Sequence, residues 1–275
     1  MKKNNNYLLT IVTVCYNSEK TIRNCVESVI KQLNDNVEYI IIDGASKDNT
    51  LNILKEYDSN LKIYSERDTG IYNAMNKGID KANGKYILYM NSDDCLKEGV
   101  VDVILNAIKT DKDCYYGDTE THYMVGNDDY SRIEIGLEDF KLLPKNPLYY
   151  HQSFWCKKDK MIEVGKFKEN DYKIAADWEL MFRLYNSGCT FEHVNYIISD
   201  YYFGGVSAKW HVWERHRVRK NNNSYKYFDK YLIRDFLKFS KNAILDFILG
   251  NDKHNYLIAK RKGFKKIDEK SKKNN

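Results

Sequence analysis

Tyr86–Leu96, reading YILYMNSDDCL, is the stretch that decides the fold. Its β-formers from Tyr86 to Met90 stop abruptly at Asn91-Ser92-Asp93-Asp94. A continuous apolar run this short reads as a strand buried on both faces, as in parallel sheets. The two carboxylates then fall at the carboxyl edge of the sheet, where open α/β folds bind ligands. Adjacent acids repel each other, so a bound cation relieves a real cost. Hard oxygen ligands suit Mg2+ or Mn2+, ions that commonly hold substrate phosphates. The plain alternative is a solvated turn after a strand.

The same grammar repeats toward the N-terminus. Leu8–Tyr16 is rich in β-formers, and Ile22, Cys25, Val26, Val29, Ile30 and Leu33 then recur on one helical face. Asn17-Ser18 offers an N-cap for that helix. Val37–Ile42 is a second buried strand, ending at Asp43-Gly44, and Ser46 to Asn49 open a second helix. Leu61–Ser65 is a third strand and Gly70–Ala82 a third helix, with Gly84 placed to terminate it. Alternation of this kind predicts an α/β fold built on a mostly parallel sheet with right-handed crossovers.

Toward the C-terminus the pattern is less regular. Gly99–Ile108 reads as a helix, Cys114–Gly117 as a short strand and Thr119–Ile135 as an irregular hairpin. Leu148–Cys156 reads as a strand, Ala175–Asn186 as a helix, and Phe191–Phe203 as strand material ending at Gly204-Gly205. From Trp210 onward aromatics mix with cations, as in Trp213, Arg215, Arg217 and Arg219, and Tyr225–Leu249 reads as an amphipathic helical pair. The expected division is a main domain over residues 1–207 and a helical, basic extension over 208–275.

Bulk composition narrows the function classes. With 275 residues, 43% of them hydrophobic, the chain can bury one large core. The net charge of +5 is uneven: from Asn251 to Asn275 nine basic residues face three acids, a net of +6, so the rest carries about −1. The body is therefore no general nucleic-acid binder. The basic, aromatic end suits an anionic membrane surface, or alternatively a helical cap on the main domain with a solvated basic edge. The six cysteines form no CxxC pair, which points to a reduced compartment and no zinc site. The apolar run after MKKNNN is too short and too polar for a signal peptide or a membrane span.

Three strand ends converge on one edge of such a sheet. Thr13, Cys15, Tyr16 and Asn17 end the first, Asp43 the second, and Ser92 and Asp93 follow the central one. An aromatic, an acid and a cation site at one rim describe a nucleotide pocket, with Tyr16 to stack on a base, Asp43 to accept from a base N–H and Asp93 to hold a metal on a diphosphate. No GxGxxG follows the first strand and no GxxxxGK[ST] occurs, which disfavours a dehydrogenase or a P-loop enzyme.

The segments TVCYNSEKTI, YIIIDGASKDNT, SERDTGIYNAMNKGI, YILYMNSDD, HQSFW, IAADWELMFRL and FGGVS resemble family 2 glycosyltransferases, in particular the bacterial O-antigen and capsule type, over Leu8 to Ser207. The resemblance implies a GT-A fold, a nucleotide-sugar donor, read as UDP-linked, a divalent Mn2+ or Mg2+, and inversion at the anomeric carbon. It implies donor contacts at Thr13, Tyr16, Asn17, Asp43 and Ser92. The acidic metal motif, often Asp-x-Asp, here reads Asn91-Ser92-Asp93, which leaves Asp93 as the principal ligand with Asp94 helping through a water. Asn76 is retained where Met75 replaces a frequent Arg, and Asp68 and Lys77 flank it as donor-side residues. The general base is implied at Asp177, with Glu179 as the rival two residues on. Without the resemblance, Asp177 reads first as an acid favoured by a helix N-terminus. His151, Asp118 and Trp178 are implied on the acceptor side, as is the loop at Gly204–Ser207. The acceptor is expected to be a carbohydrate or lipid-linked oligosaccharide at the inner face of the cytoplasmic membrane, with the protein cytoplasmic or peripheral there. The competing readings are a sugar-nucleotide pyrophosphorylase, which wants a Gly-rich basic first loop, and a non-catalytic scaffold that retains the fold.

Overall fold

A computed structural model describes residues 7–203, 212–225 and 228–267. The Gly204–Ser207 loop, Trp210, the boundary drawn at 207/208 and the last lysines of the tail lie outside the described residues.

The first half of the chain forms as its periodicities dictate. Strands β1 (Leu9–Cys15), β2 (Val37–Asp43), β3 (Lys62–Ser65) and β4 (Tyr86–Asn91) alternate with helices α1 (Ile22–Ile30), α2 (Thr50–Lys55) and α3 (Ile71–Lys81). β1 lies between β2 and β4, and β3 flanks β2, all parallel. Every residue of β1 and β2 is buried, because helices cover both faces of the sheet. Successive side chains alternate between two cores. Val12, Val14, Ile40, Ile42, Ile87 and Tyr89 pack toward α3, whereas Leu9, Ile11, Ile41, Leu88 and Met90 pack toward α1.

Beyond β4 come β5 (Cys95–Leu96), α4 (Val100–Ala107), β6 (Cys114–Val125), β7 (Asp128–Glu134), β8 (Phe154–Lys157), α5 (Lys158–Glu163), α6 (Ala176–Asn186) and β9 (Phe191–Phe203). β8 adds to β4 antiparallel and carries the sheet on to β6 and the β6–β7 hairpin. β9 runs parallel to β6 and also pairs with β5, which draws the turn after β4 against it. The C-terminal elements are α7 (Val212–Asn221), α8 (Lys230–Leu249), α9 (Asn251–Arg261) and β10 (Lys265–Lys266), the last an edge strand on β7. Among the described residues all six cysteines are free thiols.

Several local expectations are corrected. Asn17-Ser18 does not cap α1, which starts at Ile22; Asn17 takes the left-handed conformation at φ 51° and its side chain bonds a neighbouring loop. Gly84 does not end α3, whose last residue is Lys81. Its role is close approach, since a Cβ there would lie 2.5 Å from the Thr10 nitrogen. The strand at Cys114 does not stop at Gly117 but runs to Val125, because β7 and β9 pair along its two edges. Leu148–Cys156 is only partly a strand. His151–Ser153 is a 3₁₀ turn, and the strand starts at Phe154. Tyr225–Leu249 is no helical pair, for α8 alone fills most of it.

Candidate active site

The carboxyl ends of β1, β2 and β4 meet at one rim, since Cys15 is in register with Asp43 and Val14 with Asn91. The loops that follow are sewn together. Asn17 N–H donates to Ser46 Oγ at 2.8 Å, Lys47 N–H to Asn17 Oδ1 at 2.8 Å, and Ser18 N–H to Thr50 Oγ1 at 2.7 Å. The hydroxyls of Ser18 and Ser92 lie 2.8 Å apart and join the first loop to the turn after β4. The rim therefore has a preset shape.

Tyr16 stands 57% exposed at this rim. It and Asp68 flank Gly44, where a Cβ would come within 2.5 Å of Asp68 Oδ2 and 3.3 Å of the Tyr16 ring. Asp43 is fully buried at the base of the loop. Its carboxylate accepts from Ser46 N–H at 3.1 Å and from Ser65 Oγ at 2.6 Å. Thr13, expected at the nucleotide, instead points into the core, with its hydroxyl 3.0 Å from that of Tyr39. Asn76, expected on the donor side, is turned to the 167–169 segment: its amide donates to Phe167 O at 2.9 Å and to Glu169, and accepts from Phe167 N–H at 3.0 Å. It lines an open cavity of about 420 Å³ with Lys77, Asp80 and Lys166, away from the acidic turn.

Asp93 and Asp94 take different places in the turn. Asp94 is buried and accepts from Gln152 Nε2 at 2.6 Å and from Tyr202 N–H at 3.1 Å, which ties it to β9. Burial first, and the Asp93 charge second, push it up to about 7. Asp93 is raised as well, mainly by burial. Among the described residues no other side chain donates a hydrogen bond to the Asp93 carboxylate, so its oxygens have ligand capacity to spare. Two adjacent, partly desolvated carboxylates of this kind fit a hard divalent cation, with Asp93 as the accessible ligand.

His151 bridges this turn to α6. Its Nε2 lies 3.3 Å from Asn91 Oδ1 and its Nδ1 3.4 Å from Asp177 Oδ2. Asp177, in the first turn of α6, also accepts from the Tyr72 hydroxyl at 3.0 Å and from Trp178 N–H at 2.9 Å. Burial alone would raise its pKa, but the bond and charge of His151 outweigh it and hold the carboxyl below the usual range. Asp177 is thus ionised at neutral pH and 22% of its side chain reaches solvent. Glu179 faces elsewhere, fully buried against Arg183 and Lys168.

Two residues expected on the acceptor side belong to the interior. Asp118 accepts from Gly136 N–H at 3.0 Å and pairs with His193 at 2.9 Å. Trp178 is buried, its indole donates to Leu143 O at 3.0 Å, and the Arg215 guanidinium covers the ring at 4.6 Å. Tyr72 carries no local signal of this role, since its bond to Asp177 spans 105 positions. Gln152 follows His151 directly in the HQSFW segment.

A second group, Glu120, His122 and Asp200, brings three ligand-type atoms within 4.8 Å of one another. It already holds a cation, because Lys97 Nζ lies 2.8 Å from Glu120 and 2.7 Å from Asp200. The His122 ring is likewise engaged at both nitrogens, by Asp129 and Asp200. These ligand-type atoms are therefore already paired within an ion network.

A family model described as "Glycosyl transferase family 2" matches residues 10–174. A PGL/p-HBAD biosynthesis glycosyltransferase of Mycobacterium bovis is 26% identical over 212 residues, 73% of this chain and 79% of that one. Among solved structures, S. aureus TarS 1-349 in complex with UDP superposes with a TM-score of 0.61 at 16% identity, over 88% of this chain and 73% of that one. The mannosyltransferase PcManGT of Pyrobaculum calidifontis, in complex with GDP-Man and Mn2+, gives 0.60 at 13% identity over 93% and 76%. The last two likenesses show the GT-A fold.

Proposed function

Because the chain belongs to glycosyl transferase family 2, we propose that it transfers a sugar, with inversion, from a nucleotide-diphosphate sugar to a hydroxyl of a lipid-linked or polysaccharide acceptor. The chain is a glycosyltransferase by family; donor, acceptor and stereochemistry are our reading. One observation supports it: His151 lies 3.3 Å from Asn91, at the head of the turn that carries Asp93, and 3.4 Å from Asp177, so one side chain links the proposed cation site to the proposed base.

Asp93 would hold Mn2+ or Mg2+, which would supply positive charge for a departing diphosphate. The TarS complex with UDP and the PcManGT complex with GDP-Man concern those proteins. They support a nucleoside-diphosphate donor here, for which we take UDP-sugar. Tyr16 covers the base, and Asn17, Asp43, Asp68 and Ser92 shape the pocket around it. Asp177 is the general base. It takes the acceptor hydroxyl proton as that oxygen bonds the anomeric carbon, and the bond to the diphosphate oxygen breaks with its electron pair going to the diphosphate. Such a base contributes roughly 10²–10⁴ in rate. His151 and the Tyr72 hydroxyl orient it. The C-terminal elements, taken as an extension over residues 208–275, serve a cytoplasmic enzyme peripheral to the membrane, in surface-polysaccharide assembly.

Calorimetry with UDP and Mn2+, together with transfer assays over a panel of nucleotide sugars, tests this. Asp93→Ala should lose metal-dependent UDP binding, and Asp177→Asn should bind the donor normally and lose at least about 100-fold in transfer. Equal transfer by Asp177→Asn and wild type would remove the base assignment.

A further inference from the structure

α8 is twenty residues long, yet Asp235 is its one buried residue. Ile233, Phe236, Leu237, Ile244, Phe247 and Ile248 are each more than half exposed, Phe247 at 91%. At 3.6 residues per turn these six fall within about 120° of the helix surface. Lys230, Arg234, Lys238 and Lys241 fall in the adjoining sector of about 80°. The helix has two acids, and both are committed. Asp235 is turned inward onto Arg215 and Arg219 and also pairs with Arg234 of the flank, and Asp246 accepts from His254. The outer side is therefore apolar along one stripe and cationic along its flank.

Twenty residues span about 30 Å, enough to cross a bilayer. Four cations and two acids forbid it, and no helix among the described residues is long and apolar enough to do so. A second copy of the chain is a poor occupant, because an isologous contact must be self-complementary and the flank presents Lys230 and Lys241 with no acid of α8 beside them. An anionic bilayer supplies both parts of the match, hydrocarbon for the stripe and phosphate for the flank.

We propose that α8 is a docking helix that lies flat in the interface of an anionic bilayer, with Phe236, Ile244, Phe247 and Ile248 among the acyl chains and Lys230 and Lys241 at headgroup phosphates. The proposal rests on the peripheral placement given above and narrows it: the contact is this face rather than the basic chain end. It also relates the membrane to the site. Arg215, which grips Asp235 of α8, covers the ring of Trp178, the residue next to Asp177. Docking through α8 thereby sets α6, which carries Asp177, relative to the lipid.

The test is flotation of the full chain with vesicles of phosphatidylcholine alone or mixed with phosphatidylglycerol. Wild type should float only with the anionic mixture. Phe247→Asp/Ile248→Asp should lose roughly ten-fold or more in bound fraction, with melting temperature and UDP binding unchanged. Lys230→Gln/Lys241→Gln should weaken binding and flatten its salt dependence. If Phe247→Asp/Ile248→Asp floats like wild type while Lys270→Gln/Lys272→Gln/Lys273→Gln does not, the peripheral placement survives and the α8 proposal falls. If wild type does not float, both fall and donor binding still tests the transferase reading. If the aspartate pair converts a dimer to a monomer by sedimentation, the face belongs to a second copy and the proposal is overturned.

Discussion

At the scale of single residues, Asp177 shows how environment selects a role. A first-turn acid on a helix is common and worth about 0.3–1 kcal/mol to that helix. What distinguishes this one is its set of partners, His151, Tyr72 and its own helix's Trp178 N–H. Tyr72 is the informative member. Tyr72→Phe removes one donor to the proposed base without opening the core. We expect kcat to fall on the order of ten-fold with donor KM unchanged. The acid limb of kcat against pH should move upward, because Asp177 loses one of the bonds that hold its pKa down. A steady-state pH series for wild type and Tyr72→Phe checks this. Unchanged kcat would mean His151 alone orients the carboxylate.

At the scale of elements, the decisive features are close approaches and pairings. Gly84 illustrates the first. It follows α3 at a spacing that suits a helix terminator, but α3 has already ended, and what the position needs is absence of a Cβ. The chain passes so close to β1 that Gly84 N–H donates to Thr10 Oγ1 at 2.8 Å, and an added methyl would meet backbone. Gly84→Ala should therefore cost about 1–3 kcal/mol, a melting-temperature loss of several degrees by calorimetry. The turn after β4 illustrates the second. β5 is two residues long and its pairing with β9 brings Tyr202 N–H onto Asp94, so one acid is fixed while its neighbour keeps its oxygens. Two identical residue types side by side thus acquire different duties from which strand they meet.

At the scale of the whole molecule, long-range ion networks fasten the later strands to one another. His122 on β6 bonds Asp129 and Asp200, and Lys97 joins Asp200 to Glu120. Burial alone would lower the His122 pKa, but the two aspartates raise it to about 9 from an ordinary 6.5. A raised folded pKa contributes stability that is complete below about 6.5 and is lost as pH rises through 9. At about 1.4 kcal/mol per pKa unit the loss is at most a few kcal/mol. The urea midpoint of wild type should therefore fall between pH 6 and pH 9. That of His122→Gln should start lower and stay level over the same window. A parallel fall in both proteins would assign the pH dependence to other groups.

Periodicity and residue type by themselves determined the strand–helix alternation of the first hundred residues and the rim at which Tyr16, Asp43 and Asp93 gather, since buried parallel strands leave an unbroken apolar signature and their ends must face one edge. The same information placed a helix at Ala175–Asn186 and put Glu179 on a different side from Asp177. Only the tertiary structure decided that Thr13, Asn76, Asp118 and Trp178 spend their polar groups inside the protein, that Cys114–Val125 is one long strand, and that Tyr72 and His151 hold Asp177. Each of those facts is a contact between segments tens of residues apart, and no local spacing encodes which distant partner a polar side chain will meet.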